Sequence, residues 1–132
     1  MRLSIINTVR TNNFNDEQLM EKIAELWKEA SKSLSNQNTI IYGVYYHYES
    51  DYKGDYTLSI AVEDNEREPS LEILNTAKYE IFNVDKTEEQ GVINTWKQIW
   101  KREDSGTLKR AYTYDFEKYY PNGEIEIYIG IK

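Results

Sequence analysis

One offset relates the two halves of this chain. Trp27 and Trp96 lie 69 positions apart, each followed by lysine, and the same 69 separates Gly54 from Gly123 and Tyr45 from Tyr114. The alternating run Tyr56, Leu58, Ile60, Val62 then falls on Ile125, Ile127, Ile129, Ile131. A single offset that serves a helix, a turn and a strand argues for internal duplication, with chance recurrence of common patterns as the competing explanation. The fold must therefore be one that a single supersecondary unit can build twice.

That unit reads β-α-β-β. Leu3 to Val9 alternates as a strand, and Asn15 with Gln18 approximates a capping box whose staple would be Phe14 on Leu19. Leu19, Ile23, Leu26, Trp27, Ala30 and Leu34 recur at helical spacing. Thr39–Glu49 and Asp55–Glu63 read as strands around a turn, the second half-buried, and 64–70 as a solvated linker. The order then restarts. Leu71–Val84 is a long or interrupted strand, Thr87 with Gln90 a second capping box, and Val92 to Trp100 a second amphipathic helix that Gly91 weakens at its first turn. Asp104-Ser105-Gly106 ends it. The expectation is one α+β domain spanning 1–132, with pseudo-repeats 1–66 and 70–132 related by a pseudo-two-fold axis. Both helices lie on one side of antiparallel sheet, and the other sheet face, or a central cleft between the halves, is left for a ligand.

The chain closes in a hairpin turning at Pro121-Asn122-Gly123. Ile125, Ile127, Ile129 and Ile131 share one face of its second strand. Tyr112, Tyr114 and Phe116 of the first strand most simply join them in the core. Glu117, Glu126 and Tyr128 would then share the opposite face. A carboxylate among tyrosines is partly desolvated and needs a donor or cation, which makes Glu117 the candidate functional group. The 69-residue offset sets Tyr48 against Glu117 and Tyr46 against Asp115.

Composition removes several function classes. With a net charge of −7 and a pI near 4.8, the chain lacks the basic surface that nucleic-acid binding needs. There are no cysteines and one histidine, His47, so disulfides, thiolate catalysis and zinc sites are not expected, and no metal or cofactor is predicted. No phosphate-binding loop or catalytic-triad spacing is present. No apolar run approaches the ~20 residues of a membrane span and no signal peptide is evident, so a cytoplasmic protein is expected. Nothing in the sequence sets an oligomeric state. Twelve tyrosines, each an apolar ring with a polar tip, suit cores and ligand pockets alike.

The strand TAKYEIF, the helix NTWKQIW and above all YDFEKYYPNGEIEIYIGI resemble the GyrI-like small-molecule-binding domains, which also serve as effector-binding domains of AraC- and MerR-type bacterial transcription activators. The likeness covers almost the whole chain and is strongest from Leu71 onward. It implies two βαββ units around an aromatic pocket with a glutamate in its wall, which in drug-sensing members pairs with lipophilic cations. Glu117 matches that glutamate, and Tyr128 matches an aromatic position on the closing strand. No DNA-binding segment accompanies the domain, so a stand-alone member is expected and direct DNA binding is not implied.

The candidate ligand-binding residues are Glu117, Tyr46, Tyr48, Tyr128 and Trp96, each weighed against ordinary core or surface packing. Two functions of different class remain open. An aromatic cage with one carboxylate would bind a lipophilic organic cation. Alternatively, Glu117 would act as general base in a hydrolase of strained, cyclopropane-type electrophiles, as some stand-alone relatives look to be. A protein-binding modulator such as a gyrase inhibitor is a weaker third, because no exposed patch marks it.

Overall fold

In the computed structural model the alternating segments form one antiparallel sheet that carries both helices on a single face. The structure describes residues 2–34, 39–63, 70–73 and 77–132. The elements are β1 (Arg2–Thr11), α1 (Leu19–Leu34), β2 (Ile41–Tyr46), β3 (Tyr56–Glu63), β4 (Ser70–Glu72), β5 (Lys78–Asn83), α2 (Gly91–Asp104), β6 (Asp115–Tyr119) and β7 (Ile125–Ile131). The seven strands run in the order β4-β1-β3-β2-β6-β7-β5. Outward from the β2–β6 join, one half reads β2, β3, β1 and the other β6, β7, β5. Each helix follows the outermost of those three strands. This is the βαββ unit used twice. The strand expected over 71–84 is interrupted: β4 pairs with β1 at one edge, and β5 pairs with β7 at the other. Residues 64–69 of the expected linker lie outside the described residues.

The pseudo-two-fold axis passes through the Val44–Phe116 pair, one residue from the middle of the five-pair join. Its register corrects the single offset. Tyr45 pairs with Leu58 and Glu117 pairs with Ile127, so the counterpart of Glu117 is Tyr45, 72 positions away, and not Tyr48. The two closing strands and the two tryptophans keep the 69-residue spacing, while β2 and β6 differ from it by three. The hairpin connection takes up the difference: ten residues separate the paired Tyr46 and Thr57 in the first half, but seven separate the matching pair Lys118 and Glu126 in the second.

Two cores sandwich the sheet. On the helix face, α1 lays Leu26 and Ala30 on Tyr56, Leu58, Ile60 and Val62, and α2 lays Trp96 and Ile99 on Ile127 and Ile129. Leu3, Tyr42, Val44, Tyr46, Ala61 and Phe116 form the far-face core. Strand β3 is consequently buried from Tyr56 to Val62 rather than half-buried. Its alternation separates large residues under α1 from the smaller Thr57, Ser59 and Ala61 behind.

Helix starts also differ from expectation. Asp16, not Asn15, terminates α1: its Oδ1 accepts the Gln18 N–H at 2.9 Å and its carbonyl accepts the Leu19 N–H at 3.2 Å. Phe14 packs on Tyr52 and Trp100. Thr87 bonds Asp85, and α2 begins at Gly91 with no side-chain cap from Gln90. A Cβ on Gly91 would stand 2.4 Å from the Asp85 carbonyl oxygen, so glycine is there for a close approach of the preceding loop.

Candidate functional site

The closing pair of the second hairpin, Tyr119 with Ile125, sets Glu117 directly opposite Ile127 and Phe116 opposite Tyr128. Residues directly opposite in an antiparallel pair share a face. Glu117 therefore lies on the helix side with the isoleucines, whereas Phe116 and Tyr128 lie on the far side. This reverses the expected assignment of Glu117 and Phe116. The first strand is also shorter than expected: it starts at Asp115, and Tyr112 just before it takes the left-handed φ of +56°.

Glu117 sits at the floor of a cleft of about 340 Å³ between the two helices. Trp27 and Trp96 come from the facing turns of α1 and α2, Tyr45 from β2, Tyr119 from β6, and Tyr48, Tyr52 and Tyr56 from the long connection and the start of β3. Trp27 meets Tyr119 edge-on at 5.1 Å, and Trp96 meets Tyr45 edge-on at 5.1 Å, so each helix reaches across the axis to the other half's strand. At the rim, Phe14, Met20 and Ile93 are 55 %, 72 % and 43 % exposed, unusually so for large apolar side chains.

The carboxylate itself is 3 % exposed. Trp96 Nε1–H donates to Oε2 at 2.7 Å, Tyr45 O–H to Oε2 at 2.9 Å, and Tyr119 O–H to Oε1 at 2.7 Å. The ion pairs among the described residues leave it out. Burial raises its pKa above the ordinary glutamate value, and the three donor bonds oppose that rise. Burial, followed by the nearby Glu117 charge, raises the pKa of Tyr45 and of Tyr119 well above the ordinary tyrosine value. Both stay protonated donors at neutral pH. The result is an acid solvated by neutral groups alone, under a roof of aromatic rings.

The family model of Cass2, described as an integron-associated effector binding protein, matches residues 4–131. The chain belongs to that family. Among solved structures, the integron cassette protein VCH_CASS2 from the mobile metagenome of Vibrio cholerae superposes with a TM-score of 0.77 at 27 % identity, covering all of this chain and 90 % of that one. Comparison with curated proteins returns no match.

Of the residues singled out from the sequence of this Cass2 protein, Glu117, Tyr48 and Trp96 come together in this cleft, with Glu117 on the helix face rather than the opposite one. Tyr46 and Tyr128 do not join them. Tyr46 is buried on the far face, stacked on Tyr114 and sharing a 2.8 Å hydrogen bond with Ser59 Oγ. Tyr128 stacks on Phe116 at 4.7 Å, with Lys118 Nζ 5.7 Å from its ring centroid. Sequence reasoning missed Tyr45, Tyr119, Trp27 and Arg110. Tyr119 was findable, since it is two residues from Glu117 and so shares its face. Among the described residues no group of three or more His, Cys, Asp or Glu side chains is placed to hold a metal, and no helix is long and apolar enough to cross a membrane.

Proposed function

We propose that this Cass2 protein binds a lipophilic, cationic aromatic compound in the cleft between α1 and α2, with Glu117 as its counter-charge. The observation that carries the reading is the carboxylate of Glu117, a residue 3 % exposed, with three neutral donors and no cation paired to it among the described residues, set among tryptophan and tyrosine rings. Neutral donors offset part of the cost of burying the charge, and a cation would offset the remainder. Ring faces add attraction for the same ligand through their quadrupoles. The motif likeness to GyrI-like domains, whose drug-sensing members pair a wall glutamate with lipophilic cations, supports the same assignment.

The test is a calorimetric titration with N-methylquinolinium and its neutral isostere, methylnaphthalene. Aromatic walls bury both rings at about 25 cal/mol per Å², so the walls cannot discriminate. A partly buried charge pair gains ~4 kcal/mol of Coulomb energy at an effective dielectric near 20, much of which desolvation takes back. The cation is expected to bind about tenfold more tightly, a margin that Glu117→Gln erases. Equal affinities in the wild-type protein would end this reading.

The hydrolase alternative uses the same carboxylate as general base. Oε2 accepts two bonds and Oε1 one, so Oε1 has room for an attacking water. Turnover of an electrophilic probe that vanishes in Glu117→Gln would favour it.

A further inference from the structure

The two edges of the sheet are finished differently. The pseudo-two-fold axis relates β5 to β1, the outermost strand of each three-stranded half. The outer edge of β1 is covered by β4, a strand of three residues. β5 runs for six residues in unbroken register with β7, and among the described residues no strand pairs with its other side. Edges are ordinarily blunted by bulges, prolines or cover, because open N–H and C=O groups recruit another chain. β5 has neither bulge nor proline. Just beyond it the Val84 N–H donates to the Ile125 carbonyl at 3.0 Å, so the even-numbered residues of β5 turn their main-chain groups towards β7. Tyr79, Ile81 and Asn83 turn theirs outward. Ile81 lies opposite Tyr128 on the far face, away from the helices, and is 49 % exposed.

We infer that β5 is a homodimer interface, pairing antiparallel with β5 of a second copy about a two-fold axis at Ile81. In that register Ile81 lies opposite Ile81 and Tyr79 opposite Asn83. Each such pair exchanges both main-chain bonds, since these are the residues that turn outward. The two exposed isoleucines then cover each other. On the helix face, Glu80 lies opposite Phe82 of the second copy. Arg102 pairs with its own Glu80 and holds its guanidinium carbon 5.6 Å from the centroid of its own Phe82. Each Arg102 thus comes between two Glu80 carboxylates, one from each copy. The Arg102 and Glu80 side chains are 39 % and 36 % exposed, open to such a contact. Sliding the pairing by two residues one way sets Glu80 against Glu80, and the other way carries Tyr79 past the end of the facing strand. The short β4 edge offers no matching site, so association closes at two copies. The axis is perpendicular to the sheet, which leaves both clefts opening on the same side. An edge about 20 Å long places this contact at the small, reversible end of specific interfaces.

The chain has no cysteine, so disulfide trapping reads the register directly. Ile81→Cys places its thiols at the axis, with Cα atoms about 5.5 Å apart as in any hydrogen-bonded pair, a separation a disulfide spans. It should cross-link under mild oxidation, as should Tyr79→Cys mixed with Asn83→Cys. Tyr79→Cys alone should not, because its copy lies ~13 Å away along the strand. Sedimentation velocity of the wild-type protein from ~10 μM to ~1 mM should show monomer giving way to dimer. Ile81→Pro removes an outward N–H and spares the β7 ladder, and should move that transition to at least about tenfold higher concentration. Circular dichroism and tryptophan fluorescence check that it folds, and Ile81→Lys, which sets two cations on the axis, takes its place if it does not. A wild-type protein that stays monomeric throughout would overturn the inference and leave the edge to an extended peptide of another protein. A dimer that neither Ile81 variant weakens, or Tyr79→Cys cross-linking as fast as Ile81→Cys, would overturn it equally.

Discussion

Gly43 stands directly opposite Glu117 across the β2–β6 join, and a Cβ at Gly43 would lie 3.2 Å from Glu117 Oε1 and 3.8 Å from Trp27 Cζ2. The missing side chain is the space in which the carboxylate sits. Gly43→Ala restricts the unfolded chain, worth about 0.4–1 kcal/mol in favour of folding, and crowds the acid by a few tenths of an ångström. The two effects oppose each other in stability but not in binding. Denaturation midpoints should move little, while N-methylquinolinium affinity falls several-fold. A variant with unchanged affinity would show that the carboxylate is free to shift aside.

Glu117→Gln and Glu117→Ala should separate charge from hydrogen bonding. In the glutamine variant the amide oxygen can keep Trp96 and Tyr45, and its NH₂ can donate to Tyr119, whose hydroxyl turns to accept. Removing a buried charge while keeping the bonds is expected to leave stability within about 1 kcal/mol of wild type or above it. Alanine strands three donors instead, and should cost at least about 2 kcal/mol. Urea denaturation at neutral pH checks both.

The raised pKa of Glu117 fixes the sign of a pH effect. The folded state holds this proton more tightly than the unfolded state, so Glu117 favours folding most below the ordinary glutamate value of 4.5. That contribution is lost as pH rises from there through the raised folded value. Cation affinity should rise across the same window, as the acid ionises. The difference in stability between wild type and Glu117→Gln, followed against pH, isolates the effect. A wild-type protein that gains stability relative to the glutamine variant over that range would mean the donor bonds outweigh burial.

The two sheet faces should respond differently to mutation. Ile127 is fully buried beneath Trp96 and Ile99, and Ile127→Ala is expected to cost roughly 2–5 kcal/mol through lost transfer energy and a cavity. On the far face, Tyr46→Phe forfeits the hydrogen bond to Ser59 for about 1 kcal/mol and leaves cation binding untouched. A drop in affinity for Tyr46→Phe or Tyr128→Phe would place the ligand on the wrong side of the sheet for the present assignment.

Much of the fold was legible because alternation and helical spacing are local. Both helices and the strands appear where Trp27, Trp96 and the isoleucine ladder point. The face of Glu117 was not legible, because it depends on how many residues the turn consumes. Once Tyr120–Glu124 close the hairpin on Tyr119 and Ile125, odd residues face odd, and Glu117 goes under the helices. One residue fewer in that turn would have exchanged Glu117 with Phe116. The same sensitivity explains why Tyr45 escaped notice: the longer connection at 47–55 moves β2 by three residues against its counterpart. Phe14 illustrates another limit. Its partners Tyr52 and Trp100 come from a distant loop and helix, and no local pattern encodes that contact.

The pseudo-two-fold axis has a consequence for how a ligand is oriented. Its frame offers two equivalent positions at the cleft floor, filled by Tyr45 and by Glu117. The first is a hydroxyl that donates to the second. On the cation-binding reading proposed above, a molecule with two identical charged ends would find only one place to set a charge down, and its other end would meet rings. The duplicated scaffold is polarised: its outline is nearly symmetric, but its chemistry has a head and a tail.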